Sequence, residues 1–194
     1  MSAAATPAQV LDFWFGAGDA VDRRWFAGGD AFDREIVERF GATIDAAIAG
    51  TLDHWAATRD GALALVVVLD QFTRNAHRGT PRAFAGDAKA LALAQRLVDA
   101  GDDRRLPPLA RWFVCMPFEH AEDLAAQQRS VALFEVLVAE AGPHREALAG
   151  ALDYARRHRD VIVRFGRFPH RNAILGRADT ADETAFLRQP GSRF

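Results

Sequence analysis

Gly61–Ala76 reads GALALVVVLDQFTRNA, and its first two turns carry no polar side chain on any face. A helix that is apolar all round is buried on every side, so this segment is read as the central helix of a helical domain. Its end changes character abruptly. Asp70, Arg74 and His77 follow one stripe at four- and three-residue spacing, and Gln71, Asn75 and Arg78 follow the next. Charges at the end of an enclosed helix must be paired, so the run predicts either an Asp70–Arg74 pair with amide caps, or a polar pocket lined from the helix end.

Outward from this helix the pattern stays helical. Thr6 and Pro7 form an N-terminal signature for a helix that stops at Gly16. Asp30 to Ile48 places Phe32, Ile36, Val37, Phe40, Ile44 and Ile48 at helical spacing and ends at Gly50. Arg82 to Ala100 and Leu109 to Met116 follow, with Pro117 expected to interrupt before a long helix from Phe118 to Ala141. Gly142-Pro143 then precedes a helix from His144 to Phe165, and two short helices, His170 to Leu175 and Ala181 to Leu187, close the chain. The last opens with the capping box Thr180-Ala181-Asp182-Glu183. No sustained period-two alternation and no Asn-Gly or Asp-Gly hairpin signal appears. Short connections predict an all-α, single-domain antiparallel stack over 1–194, with 1–5 and 189–194 less ordered.

The chain of 194 residues, 49% hydrophobic and 26% charged, has the composition of an ordinary globular domain. The longest apolar run, Ala62 to Leu69, is far short of the roughly 20 residues a membrane span needs. One cysteine, Cys115, cannot form an intramolecular disulfide, and no leader-like segment opens the chain, which together predict a cytoplasmic protein. A net charge of −2 offers nucleic acid no global attraction. Charge is nevertheless uneven: Asp153 to Arg171 holds six arginines against two aspartates.

Four places could carry chemistry. Arg78-Gly79-Thr80-Pro81-Arg82 reads as a capped helix start flanked by arginines, a natural anion site or simply a well-capped turn. Pro117 to Asp123, with Glu119, Glu122 and Asp123 in the first turns of its expected helix, offers His120 as a base and supplies acidic partners for arginines. A metal site there is geometrically conceivable, but the pattern lacks HExxH and the Glu-x-x-His of di-iron bundles, and neither a metal nor a cofactor is expected. His158 lies on the core stripe Ala151, Ala155, Ile162, Phe165, where desolvation favours the neutral imidazole. Finally, RFGRFPHRN, Arg164 to Asn172, stops one helix at Gly166 and Pro169 and surrounds the break with Arg164, Arg167, His170, Arg171 and Asn172.

LDFWFG, LDQFTRN, RGTPRAF, MPFEHAED and RFGRFPHRNAILGR, in this order, resemble the bacterial domain-of-unknown-function family 924 over nearly the whole chain. The resemblance implies a tetratricopeptide-repeat-like helical fold and no established reaction. It also implies two departures: Thr73 stands where the family commonly has proline, and Ala121 where it commonly has serine.

The residues together predict a cavity lined by Asp70, Arg74, Asn75, Arg78, Asp123, His158, Arg164, Arg167, Arg171 and Asn172 that holds a small anionic ligand or a peptide carboxylate. An enzyme using His120 or His170 as acid or base is the second reading, with no serine or cysteine nucleophile in the motifs. A purely structural or protein-interaction scaffold is the third. The expected protein is a monomer or homodimer without nucleic-acid or membrane partners.

Overall fold

A computed structural model of the chain describes residues 4–16, 20–27 and 29–192, and among these every regular element is helical. Residues 1–3 and 193–194, part of the termini expected to be less ordered, lie outside the described residues. Helix α1 (Pro7–Phe15) starts at the anticipated cap, with Thr6 Oγ1 accepting from the Gln9 amide, and the Gln9 side chain adds a return bond to the Thr6 amide. The short α2 (Arg24–Ala27) precedes α3 (Asp30–Ala49), whose Phe32, Ile36, Phe40 and Ile44 are buried. Val37, expected on that face, is 47% exposed; it sits one position beyond Ile36 and turns outward.

The opening segment is helical from α4 (Arg59–Val66) through a π-helical turn, Val67–Phe72, to α5 (Thr73–Ala76). Every residue from Gly61 to Thr73 is buried, as an element enclosed on all sides requires. Within the π-turn the Thr73 amide bonds the Val68 carbonyl, five residues back. Thr73 Oγ1 donates to the Leu69 carbonyl at 2.7 Å, so the widened turn keeps its acceptors occupied.

The helix expected from Arg82 starts later. Pro81–Phe84 is a 3-10 turn, and α6 spans Asp87–Asp99. A close backbone approach explains the delay. A Cβ on Gly86 would stand 2.2 Å from the Leu69 carbonyl oxygen, so glycine lets this loop lie directly on the π-turn.

Helix α7 (Pro108–His120) runs through Pro117 instead of stopping there. Leu109 to Glu119 are all buried, and that burial outweighs the roughly 3 kcal/mol cost of an interior proline. The break comes at Ala121, and Asp123, its Oδ1 accepting from the Ala126 amide, caps α8 (Leu124–Ala139). Glu119 and His120 therefore end a helix, where the expectation had them starting one. After a 3-10 turn at Gly142–His144 comes α9 (Arg145–Phe165), stopped by Gly166 in the left-handed region at φ 70°. His170 to Leu175, expected as a helix, is a 3-10 turn at Pro169–Arg171 followed by further turns, because Pro169 and the short span leave no room for a second helical turn. Helix α10 (Ala181–Leu187) carries the expected capping box.

Helices α7, α8 and α9 pack in succession, while α4 sits against α1, α6 and α7. One hydrophobic core extends from Val10 to Ala155, and a small separate cluster joins Val161, Ile162 and Phe168 to Phe165 and Phe186. Trp14 and Trp25 anchor α1 and α2 to Phe113, with Trp25 Nε1 donating to the Trp14 carbonyl at 2.8 Å. Among the described residues no helix is long and apolar enough to cross a membrane.

Candidate functional site

The polar end of the central helix is buried with its charges. Asp70 is fully enclosed, and three side chains meet its carboxylate and carbonyl. His120 Nδ1 lies 2.7 Å from Oδ1, Gln71 Nε2 donates to Oδ2 at 2.6 Å, and Arg74 Nη1 reaches Oδ1 at 3.2 Å and the Asp70 carbonyl at 2.6 Å. Burial alone would raise the Asp70 pKa, but His120 and Arg74 hold it well below the usual carboxylate range. An ionised carboxylate can only accept, so the His120 proton sits on Nδ1. Nε2, on the opposite edge, has no hydrogen bond among the described residues and is not one of the enclosed polar atoms. Burial and then Arg74 lower the imidazole's pKa against the pull of Asp70, favouring a lone pair on Nε2 at neutral pH.

From Asp70 the charges continue outward. Arg74 grips Asp87 through two bonds of 3.0 Å, and Arg171 Nη1 touches the same carboxylate at 3.5 Å. The Gly86 approach to Leu69 is what delivers Asp87 to Arg74. Burial first, then the opposed fields of Arg74 and Asp70, leave the Asp87 pKa raised. The Arg171 guanidinium lies against Phe84 and Phe168, 4.7 and 4.5 Å from their ring centres. Its Nε is enclosed and has no hydrogen-bond partner among the described residues. Burial, with Arg74 nearby, pushes its pKa down to about 10. His120, Asp70, Arg74, Asp87 and Arg171 thus form one chain, its last four members alternate in charge, and Arg171 at its end is incompletely met.

Beneath this chain sits a second pair. Glu119 Oε1 is 3.2 Å from His158 Nδ1, which also lies 2.9 Å from the Tyr154 carbonyl. A carbonyl can only accept, which places a proton on Nδ1 of His158. Burial, followed by the charge of Asp70, pushes Glu119 up to about 8, while burial takes His158 down to about 3. His158 therefore packs as a neutral ring, edge-on to Phe168 and 6.3 Å from the His120 ring. His170 lies on the other side of Phe168, with burial pushing its pKa to about 4.

The remaining anticipated site residues lie in other settings. Asn75 and Arg78 both bind Asp33 of α3, and Thr80 donates to the His77 carbonyl instead of capping the next turn. Arg82 pairs with Asp45, so the expected anion site at this turn is filled by the protein's own carboxylates. Asp123 serves as the α8 cap, and Arg164 is exposed beside Phe165 and Phe186. Arg167 is held by both oxygens of Glu183, Asn172 by Asp179, and Glu122 by Arg177 together with the Phe168 amide. Among the described residues no three His, Cys, Asp or Glu side chains converge on a point that could hold a metal ion.

Asp87 is the participant that motif reading passed over. Its signal was faint: an acid directly after a glycine at a helix start, with nothing in the sequence to say which arginine the glycine would bring near. A separate open cleft of about 420 Å³, lined by Gln9, Asp12, Phe13, Arg24, Glu35 and Arg39 among others, contains none of these groups.

Residues 10–191 match the family model described as a bacterial protein of unknown function, DUF924. A solved structure of a protein of unknown function from Agrobacterium tumefaciens is 38% identical, with a TM-score of 0.81 over 94% of this chain and 96% of that one. No curated protein matches.

Proposed function

We propose, for a chain that belongs to the bacterial family DUF924, that the Arg74–Asp87–Arg171 cluster and the open edge of His120 bind a small anionic ligand. The observation that carries this is Arg171: buried, bonded to a shared carboxylate only at 3.5 Å, and with Nε unpartnered among the described residues. A desolvated guanidinium stabilises an added anion far more than an exposed one would, because its charge is poorly screened. Asp87 is shared between two arginines, so phosphate or carboxylate would supply the acceptor that Arg171 Nε lacks among the described residues. The successive packing of α7, α8 and α9 supports a tetratricopeptide-like stack as the frame of the site.

Inorganic phosphate is the simplest probe. At ten times its dissociation constant it should add about 1.4 kcal/mol, raising Tm by roughly 4 °C. Arg171→Met should lose that rise while keeping the helical circular-dichroism signal. Arg167→Ala, which removes the Glu183 partner, should lower Tm yet keep the rise. Equal phosphate responses in the parent and Arg171→Met would rule the reading out.

A further inference from the structure

The His120 ring has the arrangement of an imidazole prepared to react through one nitrogen. Nδ1–H is committed to Asp70 at 2.7 Å, and Nε2 faces away from that bond without a partner among the described residues. Arg74 Nη1 reaches the same Asp70 oxygen, so a guanidinium lies beside the ring, and Arg171 follows across Asp87. Among the described residues no serine or cysteine is bonded into the cluster: Cys115 is buried, and burial pushes its thiol well above the ordinary range. Two cations and a nucleophilic nitrogen are the requirements for taking up a phosphoryl group, whose three outer oxygens carry the charge.

We infer that His120 Nε2 is a phosphoryl acceptor, acting on a small phosphorylated compound whose leaving group departs without a proton from the protein. The inference rests on the anion-binding reading and names its ligand class. The Nε2 lone pair forms the N–P bond as the P–O or P–N bond to the leaving group breaks, and that group leaves with the electron pair. The ring, now carrying Nδ1–H and a phosphorylated Nε2, is an imidazolium, and Asp70 compensates its charge as a positioning residue. Water then attacks phosphorus, the N–P pair returns to Nε2, and the released phosphate takes the water oxygen while a proton goes to solvent. The restriction on the leaving group follows from the neighbours. Glu119 is turned toward His158 and Asp87 is gripped by Arg74, so neither is placed to protonate a departing alkoxide.

Phosphoramidate tests this on the intact chain, since its leaving ammonia already carries its protons. Incubation at neutral pH, with a histidine-containing peptide in the same tube, should add one acid-labile phosphoryl group, mapped by fragmentation mass spectrometry to His120. The modification should be absent in His120→Asn and slowed about tenfold or more in Arg171→Met. Nitrogen NMR of the imidazoles should place the His120 proton on Nδ1 in the parent and give a tautomer mixture in Asp70→Asn, a change that loss of packing alone does not produce. A labelled peptide beside an unmodified His120 overturns the inference, as do equal rates in the parent and Arg171→Met, which would make His120 an ordinary accessible histidine. If phosphate still raises Tm through Arg171 when His120 takes no label, the anion site stands and only the phosphoryl chemistry falls.

Discussion

Asp70 and Glu119 are carboxylates in one buried cluster, and their pKa values move in opposite directions. Asp70 meets His120, Arg74 and Gln71; Glu119 meets a neutral histidine and the field of Asp70. Partners, not depth, set the sign. A Glu119 pKa of about 8 in the folded chain, against about 4.5 unfolded, means that the native state holds a proton the unfolded state has lost. Its contribution to stability is full below pH 4.5 and declines as pH rises through 8, by at most about 1.4 kcal/mol per pH unit. Glu119→Gln removes this dependence. Melting curves of the two proteins from pH 5 to pH 8 should therefore move in favour of the glutamine variant as pH rises. A gap that is constant or moves the other way would show that Glu119 is ionised in the folded chain. His158, with its folded pKa near 3, contributes the opposite slope between about 3 and 6.5, and does so in both proteins.

At the scale of elements, the site depends on two irregularities in otherwise ordinary helices. The π-turn at Val67–Phe72 widens the central helix where Asp70 must meet groups from α7, and the Gly86 contact lays the start of α6 across it. Gly86→Ala would force a Cβ to within 2.2 Å of the Leu69 carbonyl oxygen, a contact that only a backbone shift can relieve. Since the φ of Gly86 is an ordinary −92°, the cost arises from that collision and not from backbone preference. Thermal or denaturant unfolding should show a loss of about 2–4 kcal/mol, in the range of an overpacked core. Phosphate stabilisation should change as well, because the shift alters how Arg74 and Arg171 share Asp87. A neutral Gly86→Ala would mean the loop has freedom that its packing does not suggest. Pro117 shows the complementary case: an element survives a residue of low helix propensity because both sides of it are enclosed.

On the scale of the whole molecule, the C-terminal segment is attached to the helical core at a few defined points. Arg177 forms two bonds to Glu122, at 2.6 and 2.9 Å, and Glu122 also accepts from the Phe168 amide. Arg167 and Glu183 tie α10 to the end of α9, over the small cluster of Val161, Ile162, Phe168 and Phe186. Glu122→Gln weakens the first attachment by removing its charge. Hydrogen exchange should then quicken across 166–187 while α4 and α7 keep their protection. Uniform loss of protection would instead mean that the segment and the core unfold as one unit.

Local patterns along the chain determined the helical class, the buried central helix, the N-cap at Thr6, the capping box at Thr180 and the glycine stops at Gly50 and Gly166, because each depends on neighbours within a few residues. They also singled out Asp70, Arg74, His120 and Arg171, which the fold joins through Asp87, and His158, which it pairs with Glu119 beside them. Only tertiary structure decided which charge meets which. The same pattern of arginines was compatible with Asp70, Glu119, Glu122 or Asp123 as partners. In the folded chain Arg171 turns to Asp87, Arg167 to Glu183 and Arg177 to Glu122. Burial similarly carried α7 through Pro117 and moved His120 from a helix start to a helix end. Spacing along one helix specifies a shared face, but pairing between elements depends on how closely their backbones approach, and here that approach is set by a glycine resting on a carbonyl.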